Sequence, residues 1–262
     1  MHPFLDHVGP IAFAHRGGAS SVPENTLVAF QDAVDLGYRY VETDVHATSD
    51  GVLLAFHDDD LTRSCADPRR IAENTADELA SARISGTEPI PRLVEILDTW
   101  PEIFVNIDCK ADSAVSPLIA LLRSRPHVLE RVCIGSFSDA RLDAVRAEFG
   151  DRVLTSMGPK AVLRLVGRAN RIPVPLRPDG ARCAQVPVRQ GPIPVVTRRF
   201  VESAHQSGLQ VHVWTIDDPV EIGRLLDIGV DGIMSDDTRA LRDVMSARGL
   251  WRTDGRNHRG TQ

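Results

Sequence analysis

Four short stretches of this chain concentrate side chains that move protons, bind oxyanions or hold cations. They are Ala14-His15-Arg16-Gly17, Val41-Glu42-Thr43-Asp44-Val45, Val105-Asn106-Ile107-Asp108-Cys109-Lys110 and Val211-His212-Val213-Trp214-Thr215. Each closes an apolar run that reads as a β-strand. Strand side chains alternate faces with a period of two, so Glu42 and Asp44 share a face, as do Asn106, Asp108 and Lys110. Like-charged carboxylates at close range raise one another's pKa unless a cation is present. All-oxygen ligands suit a hard cation, Ca²⁺ or Mg²⁺, better than zinc. An imidazole with an ordinary pKa of about 6.5 both accepts and donates protons near neutrality. His15 and His57 therefore form a candidate pair in which one acts as base and the other as acid. Arg16 offers a planar fork for an anion, and Lys110 a point charge. A cation, two basic side chains and an acid–base pair suit phosphoryl chemistry better than sugar or acyl chemistry. The other histidines, among them His46 and His212, read as surface or wall residues without a role.

Such a set works only if several strand ends meet. Strand-like runs at residues 11–16, 40–48, 103–110, 132–137, 153–157, 183–187, 210–216 and 232–236 alternate with helix-like segments. The first helix reads as residues 25–36, with Asn25 or Thr26 as N-cap and Gly37 as stop signal. Eight βα units in about 250 residues are the arithmetic of a (β/α)8 TIM barrel, whose C-terminal strand ends carry the active site. A doubly wound open sheet is the alternative, but His15-Arg16-Gly17-Gly18 lacks the GxGxxG spacing. Residues 59–90 are polar and irregular, with a short helix expected near residues 76–82, and read as a small insertion after the second strand. Residues 1–250 thus read as one barrel domain, and the polar tail 251–262 as disordered. Asp50-Gly51 between extended runs signals a hairpin. If that loop has two residues, Ser49 opposes Val52 and Asp44 opposes His57, which returns His57 to the carboxylates.

The composition narrows the function. The chain has 262 residues, with 30 Lys and Arg against 36 Asp and Glu, a formal charge of −6. That balance lacks the basic footprint of a nucleic-acid binder. The arginines at 164, 168, 171, 177 and 182 read as a solvated face. No apolar run approaches the roughly 20 residues of a membrane span. The first ten residues lack the apolar region of a secretory signal. Four cysteines without CxxC pairing suggest a reduced compartment, hence the cytoplasm.

The order and spacing of His15-Arg16-Gly17, Pro23-Glu24-Asn25-Thr26, Glu42-Thr43-Asp44-Val45, Asp50-Gly51 and His57-Asp58 resemble the glycerophosphodiester phosphodiesterase family. Further likeness runs through Asn106-Ile107-Asp108-Cys109-Lys110, Val213-Trp214-Thr215 and Gly229-Val230-Asp231-Gly232-Ile233. The resemblance implies a TIM barrel that uses Ca²⁺ or Mg²⁺ to cleave small-molecule glycerophosphodiesters into sn-glycerol 3-phosphate and an alcohol. It implies acid–base work at His15 and His57, metal binding at Glu42, Asp44 and Asp108, phosphate binding at Arg16 and Lys110, and a substrate wall at Trp214. The family's third metal ligand is usually Glu; Asp108 is one methylene shorter. A lysophospholipase D on the same scaffold is the alternative, and would want an exposed apolar lip, for which residues 186–196 are the candidate.

Overall fold

The structure, a computed structural model, describes residues 2–176 and 178–252. Nine strands build its main sheet: β1 (Ile11–Ala14), β2 (Tyr40–Ala47), β3 (Leu53–Ala55), β4 (Phe104–Cys109), β5 (Val132–Gly135), β6 (Leu154–Thr155), β7 (Cys183–Pro187), β8 (Gln210–Trp214) and β9 (Gly232–Ser235). All but β3 are parallel and follow one another around a barrel in chain order. β9 pairs back onto β1, and a parallel Ser156–Cys183 bridge carries β6 onto β7. The expected eight-stranded (β/α)8 architecture is therefore present.

Eight helices surround the wall: α1 (Leu27–Asp35), α2 (Leu93–Thr99), α3 (Val115–Ser124), α4 (Asp139–Phe149), α5 (Pro159–Ala169), α6 (Arg198–His205), α7 (Pro219–Asp227) and α8 (Thr238–Ala247). Their apolar faces meet the outward side chains of the strands, including Val41, Val45, Ile107 and Cys109, in one continuous core. Among the described residues, no helix is long and apolar enough to cross a membrane.

A second core fills the barrel floor. Phe4 comes from a 3-10 turn at Pro3–Leu5 and packs edge-on against Tyr40 (centroids 5.2 Å apart), which stacks on Phe104 at 4.7 Å. The Tyr40 hydroxyl donates to the Phe4 carbonyl at 3.0 Å, so the apolar plug leaves no polar tip unpaired. Plugging the floor confines the polar inward positions to the opposite end, where the strands finish.

Several local expectations change. The first strand stops at Ala14, and His15-Arg16-Gly17 form a 3-10 turn with Arg16 at φ +52°. The turn wins because the Arg16 amide donates to Glu42 and its carbonyl accepts from the Asn25 amide. Thr26 is the N-cap of α1, accepting from the Ala29 amide at 3.1 Å. The hairpin loop has three residues: Thr48 opposes Val52, and the Phe56 amide donates to the Asp44 carbonyl. Asp44 is thus opposite Phe56, one residue off the expected register. The Thr48 hydroxyl decides this by accepting from the Val52 amide and donating to Asp50, while Gly51 takes φ +80°.

Residues 59–90 hold short helices at Thr62–Cys65 and Ala76–Leu79, and a strand pair at Arg83–Ile84 and Glu88–Pro89. They enclose a small core of their own, with Leu54, Phe56, Leu61, Ile71, Leu79 and Ile84. The short helix expected near residues 76–82 is present at Ala76–Leu79, whereas the other elements are too short to produce a readable period. Trp251, placed in the disordered tail by sequence, packs edge-on against Tyr38 at 4.9 Å, because its indole is too apolar to leave in water. The rest of that tail, residues 253–262, lies outside the described residues, as does Arg177 of the arginine-rich stretch. Arg168, Arg171 and Arg182 of that stretch are exposed, and Arg164 lies 3.8 Å from Asp179.

Gly17 is the backbone position on which the first loop depends. At φ +82°, a Cβ there would lie 2.8 Å from the Ala29 Cβ and 2.9 Å from the Phe30 nitrogen. Gly17→Ala combines backbone strain with a clash against helix backbone and is expected to cost about 2 kcal/mol or more. Urea unfolding of the variant measures this; an unchanged midpoint would show that the loop relaxes freely.

Candidate active site

Parallel pairing of β2 with β4 sets Glu42 beside Asn106 and Asp44 beside Asp108. The inward face of two neighbouring strands therefore delivers three buried carboxylates to one end of the barrel. Lys110 follows Asp108 by two residues, and its Nζ lies 2.9 Å from Asp44 Oδ1 and 2.8 Å from Asp108 Oδ2. Arg16 reaches in from the turn after β1. Its Nη1 donates to both Glu24 oxygens at 3.2 Å, and its Nε lies 3.1 Å from Asp44 Oδ2. That last contact is Coulombic, because the N–H is not aimed at the oxygen. Asn25 donates its amide to Asp44 Oδ2 at 3.2 Å and is steadied by the Thr43 hydroxyl, which donates to Asn25 Oδ1.

The carboxylates are not equivalent. Burial pushes Asp44 up, but Lys110 and Arg16 more than offset it and hold the group below the usual carboxylate range. Glu42 is pushed up to about 8, first by burial and then by the neighbouring Asp44 charge. Asp108 Oδ1 is buried and accepts no hydrogen bond. Three carboxylates thus share two basic side chains, one of which is also engaged by Glu24. Among the described residues, no three His, Cys, Asp or Glu side chains already stand at metal-ligand spacing. The donor set still fits a hard cation, because an under-neutralised Glu42 and an orphaned Asp108 oxygen are what such an ion would satisfy.

Each expected imidazole is held by a carboxylate. Asp236, just past β9, lies 2.7 Å from His15 Nδ1, and Asp58 lies 2.6 Å from His57 Nδ1. A carboxylate only accepts, so both Nδ1 atoms carry the proton and the Nε2 atoms are left for chemistry. His15 Nε2 lies 3.7 Å from Glu42 Oε2. Although the hairpin register differs from expectation, the Phe56 amide donates to the Asp44 carbonyl at 3.0 Å, so His57 is the next residue after the one that opposes Asp44. His46, set aside in the sequence reading, is buried on β2 and donates from Nε2 to the His57 carbonyl at 3.1 Å, bracing that backbone. His212 is wholly buried within the barrel against Phe13, a wall position.

Trp214 stands at the rim beside Phe137, edge to face at 5.7 Å, and the Phe137 ring lies 5.9 Å from Lys110 Nζ. Phe137 is 66% exposed, which is unusual for a large aromatic. In the proposed apolar lip, Val186, Val195 and Val196 turn into the core and Ile193 remains outside. Two clefts at the barrel's other end, one lined by His7, Tyr38 and Trp251 and one by His2, Arg152 and Arg182, stand apart from these groups.

All eight residues expected from sequence thus gather around one end of the barrel. Glu24, Asn25, Asp58, Asp236 and Phe137, which touch the expected residues, were not singled out. His57-Asp58 carried a readable signal, an acid next to a strand-end histidine. Asp236 could have been found from topology alone, since the last barrel strand must lie beside the first.

The sequence model described as the Glycerophosphoryl diester phosphodiesterase family matches residues 15–240. The chain is 39% identical over 260 residues to a probable glycerophosphodiester phosphodiesterase 2 of Mycobacterium tuberculosis, covering 95% of each. It is 24% identical over 269 residues to a lysophospholipase D of Rattus norvegicus, covering 89% of this chain and 85% of that one. The crystal structure of an Oleispira antarctica phosphodiesterase in complex with the product sn-glycerol-3-phosphate superposes with a TM-score of 0.75 at 22% identity, covering 91% and 97%.

The Asp236 contact makes a pH-dependent signature. Burial lowers the His15 pKa, but Glu42 and Asp236 outweigh it and leave the group above its usual 6.5. A raised folded pKa contributes stability that is complete below the unfolded value and is lost as pH rises through the folded one. Asp236→Asn should therefore lower the His15 pKa by imidazole NMR in EDTA. The stability deficit of the variant should be largest below about pH 6.5 and shrink toward alkaline pH. A deficit that grows with pH would contradict the assignment.

Proposed function

The chain belongs to the glycerophosphoryl diester phosphodiesterase family, and we propose that it hydrolyses water-soluble glycerophosphodiesters to sn-glycerol 3-phosphate and an alcohol by a paired-imidazole mechanism supported by a divalent cation. The observation that carries this reading is the matched pinning of His15 and His57. Each ring has its Nδ1 proton on a carboxylate, which leaves Nε2 free for proton transfer. One imidazole removes the proton from the nucleophile, either water or the glycerol's own hydroxyl with water then opening the cyclic phosphate, and the other supplies a proton to the departing alkoxide as its P–O bond breaks. Asp236 and Asp58 keep the rings oriented and stabilise whichever is cationic.

Glu42, Asp44 and Asp108 are the residues that would hold Ca²⁺ or Mg²⁺. When bound, such an ion offsets the negative charge that builds on the phosphoryl oxygens. Arg16 and Lys110, the basic side chains lining the cluster, bind the phosphodiester oxyanion beside it. Trp214 and Phe137 form an apolar wall that orients the carbon skeleton of the substrate and excludes water from one side. Soluble head groups are favoured over lipid-tailed ones on two grounds. Val186, Val195 and Val196 face inward, and the identity to the lysophospholipase D relative is lower than to the glycerophosphodiester phosphodiesterase one.

The reading is tested by release of glycerol 3-phosphate from glycerophosphocholine, glycerophosphoethanolamine and glycerophosphoglycerol. Release should stop with EDTA and return with Ca²⁺ or Mg²⁺. His15→Ala and His57→Ala should each lower kcat by about 10³ while circular dichroism stays that of the parent, in line with the loss of a general acid or base. Turnover that survives EDTA removes the cation from the mechanism, and near-parental kcat in either histidine variant removes that residue.

A further inference from the structure

Arg63 belongs to the insertion, yet its guanidinium lies between two carboxylates that each grip a working side chain. Its Nε donates to Asp58 Oδ2 at 2.6 Å, and its Nη2 donates to Glu24 Oε1 at 2.5 Å. Through its other oxygen Asp58 holds His57 Nδ1, and Glu24 accepts from Arg16 Nη1 with both oxygens. An unbroken chain of charge-assisted contacts thus runs His57–Asp58–Arg63–Glu24–Arg16 and ends on Asp44. From the proposed mechanism, on which this inference rests, His57 moves a proton and Arg16 binds phosphate. One guanidinium joins the two.

We propose that Arg63 is a positioning residue, by which the insertion sets His57 and Arg16 in fixed relation to each other. Its backbone is well placed for the task. Leu61 is wholly buried in the insertion core, Asp60 caps the Thr62 amide, and the Ser64 carbonyl accepts from the Ser85 amide. The chemistry asks for arginine, since Nε and Nη2 sit in one rigid plane and serve two acceptors at once, whereas a lysine carries one nitrogen. Without that bridge, Asp58 and Glu24 face each other as like charges, and each is free to turn away from its partner. The Arg63 side chain is 51% exposed, so its ion pairs add little to global stability, and the loss should appear in turnover.

The test is steady-state kinetics of Arg63→Ala, Arg63→Lys, Asp58→Asn, His57→Ala and the Arg63→Ala/Asp58→Asn double variant on glycerophosphoethanolamine with divalent cation. Arg63→Ala should lower kcat about 10²-fold, the size of a misplacement effect, with its unfolding midpoint unchanged. Arg63→Lys should recover only a small part, and added guanidinium ion should restore Arg63→Ala more than ammonium does. The double variant should be within about threefold of Asp58→Asn, because both lesions break one chain. Parental kcat in Arg63→Ala beside an inactive His57→Ala overturns the clamp alone, as do effects of Arg63→Ala and Asp58→Asn that multiply. An active His57→Ala overturns the mechanism beneath it and the clamp with it. If the alanine variant fails to fold, Arg63→Lys decides, and parental kcat in it overturns the clamp.

Discussion

Asp44 has almost no contact with water, and both of its oxygens are engaged: Oδ1 by Lys110, Oδ2 by Asn25 and Arg16. Burying a carboxylate is tolerable only when its charge and lone pairs find partners. Here the partners come from the turn after β1, the approach to α1 and the end of β4. One charge on β2 therefore ties the β1–α1 connection to the end of β4, more than 80 residues away in sequence. The left-handed Arg16 conformation and the close approach of Gly17 to α1 serve this requirement, because they bring the guanidinium over the strand end.

The two basic side chains that satisfy Asp44 leave its neighbours short. Lys110 is shared with Asp108, whose second oxygen finds no donor, and Arg16 is shared with Glu24. Glu42 receives a single backbone N–H and a histidine at longer range, and its pKa rises accordingly. The cluster is thus split by its environment into one fully paired carboxylate and two that hold unused binding capacity. Glu42 and Asp108 thus bring free capacity for positive charge, and Asp44 would join them in holding a cation only by giving up part of its hold on Lys110 or Arg16.

What the sequence made legible was the part governed by local periodicity. The period-two pattern put Glu42, Asp44, Asp108 and Lys110 on inward faces, and parallel register then placed them side by side. Where a single side chain decided the backbone path, the pattern failed. Thr48 lengthened the hairpin by one residue, and Glu42 turned His15-Arg16 out of the strand. The contacts of Asp236 and Arg63 were invisible for a different reason. They span 221 and 39 residues and depend on barrel closure and on an insertion in which the helix carrying Arg63 is only four residues long.

The two imidazoles are secured in unlike ways, and the difference couples the chemistry to the completeness of the fold. His57 takes its carboxylate from the next residue, so that pair can form as soon as the insertion packs. His15 takes its carboxylate from Asp236, which arrives only when β9 pairs with β1 and the barrel closes. The same closure places Asp217 to accept from the Asp236 and Asp237 amides, which fixes the last turn before α8. A partly assembled barrel could therefore present acidic groups and one oriented imidazole, but not the matched pair. The proposed acid–base pair depends on the closed barrel, because the segments just past its first and last strands each contribute half of one hydrogen bond.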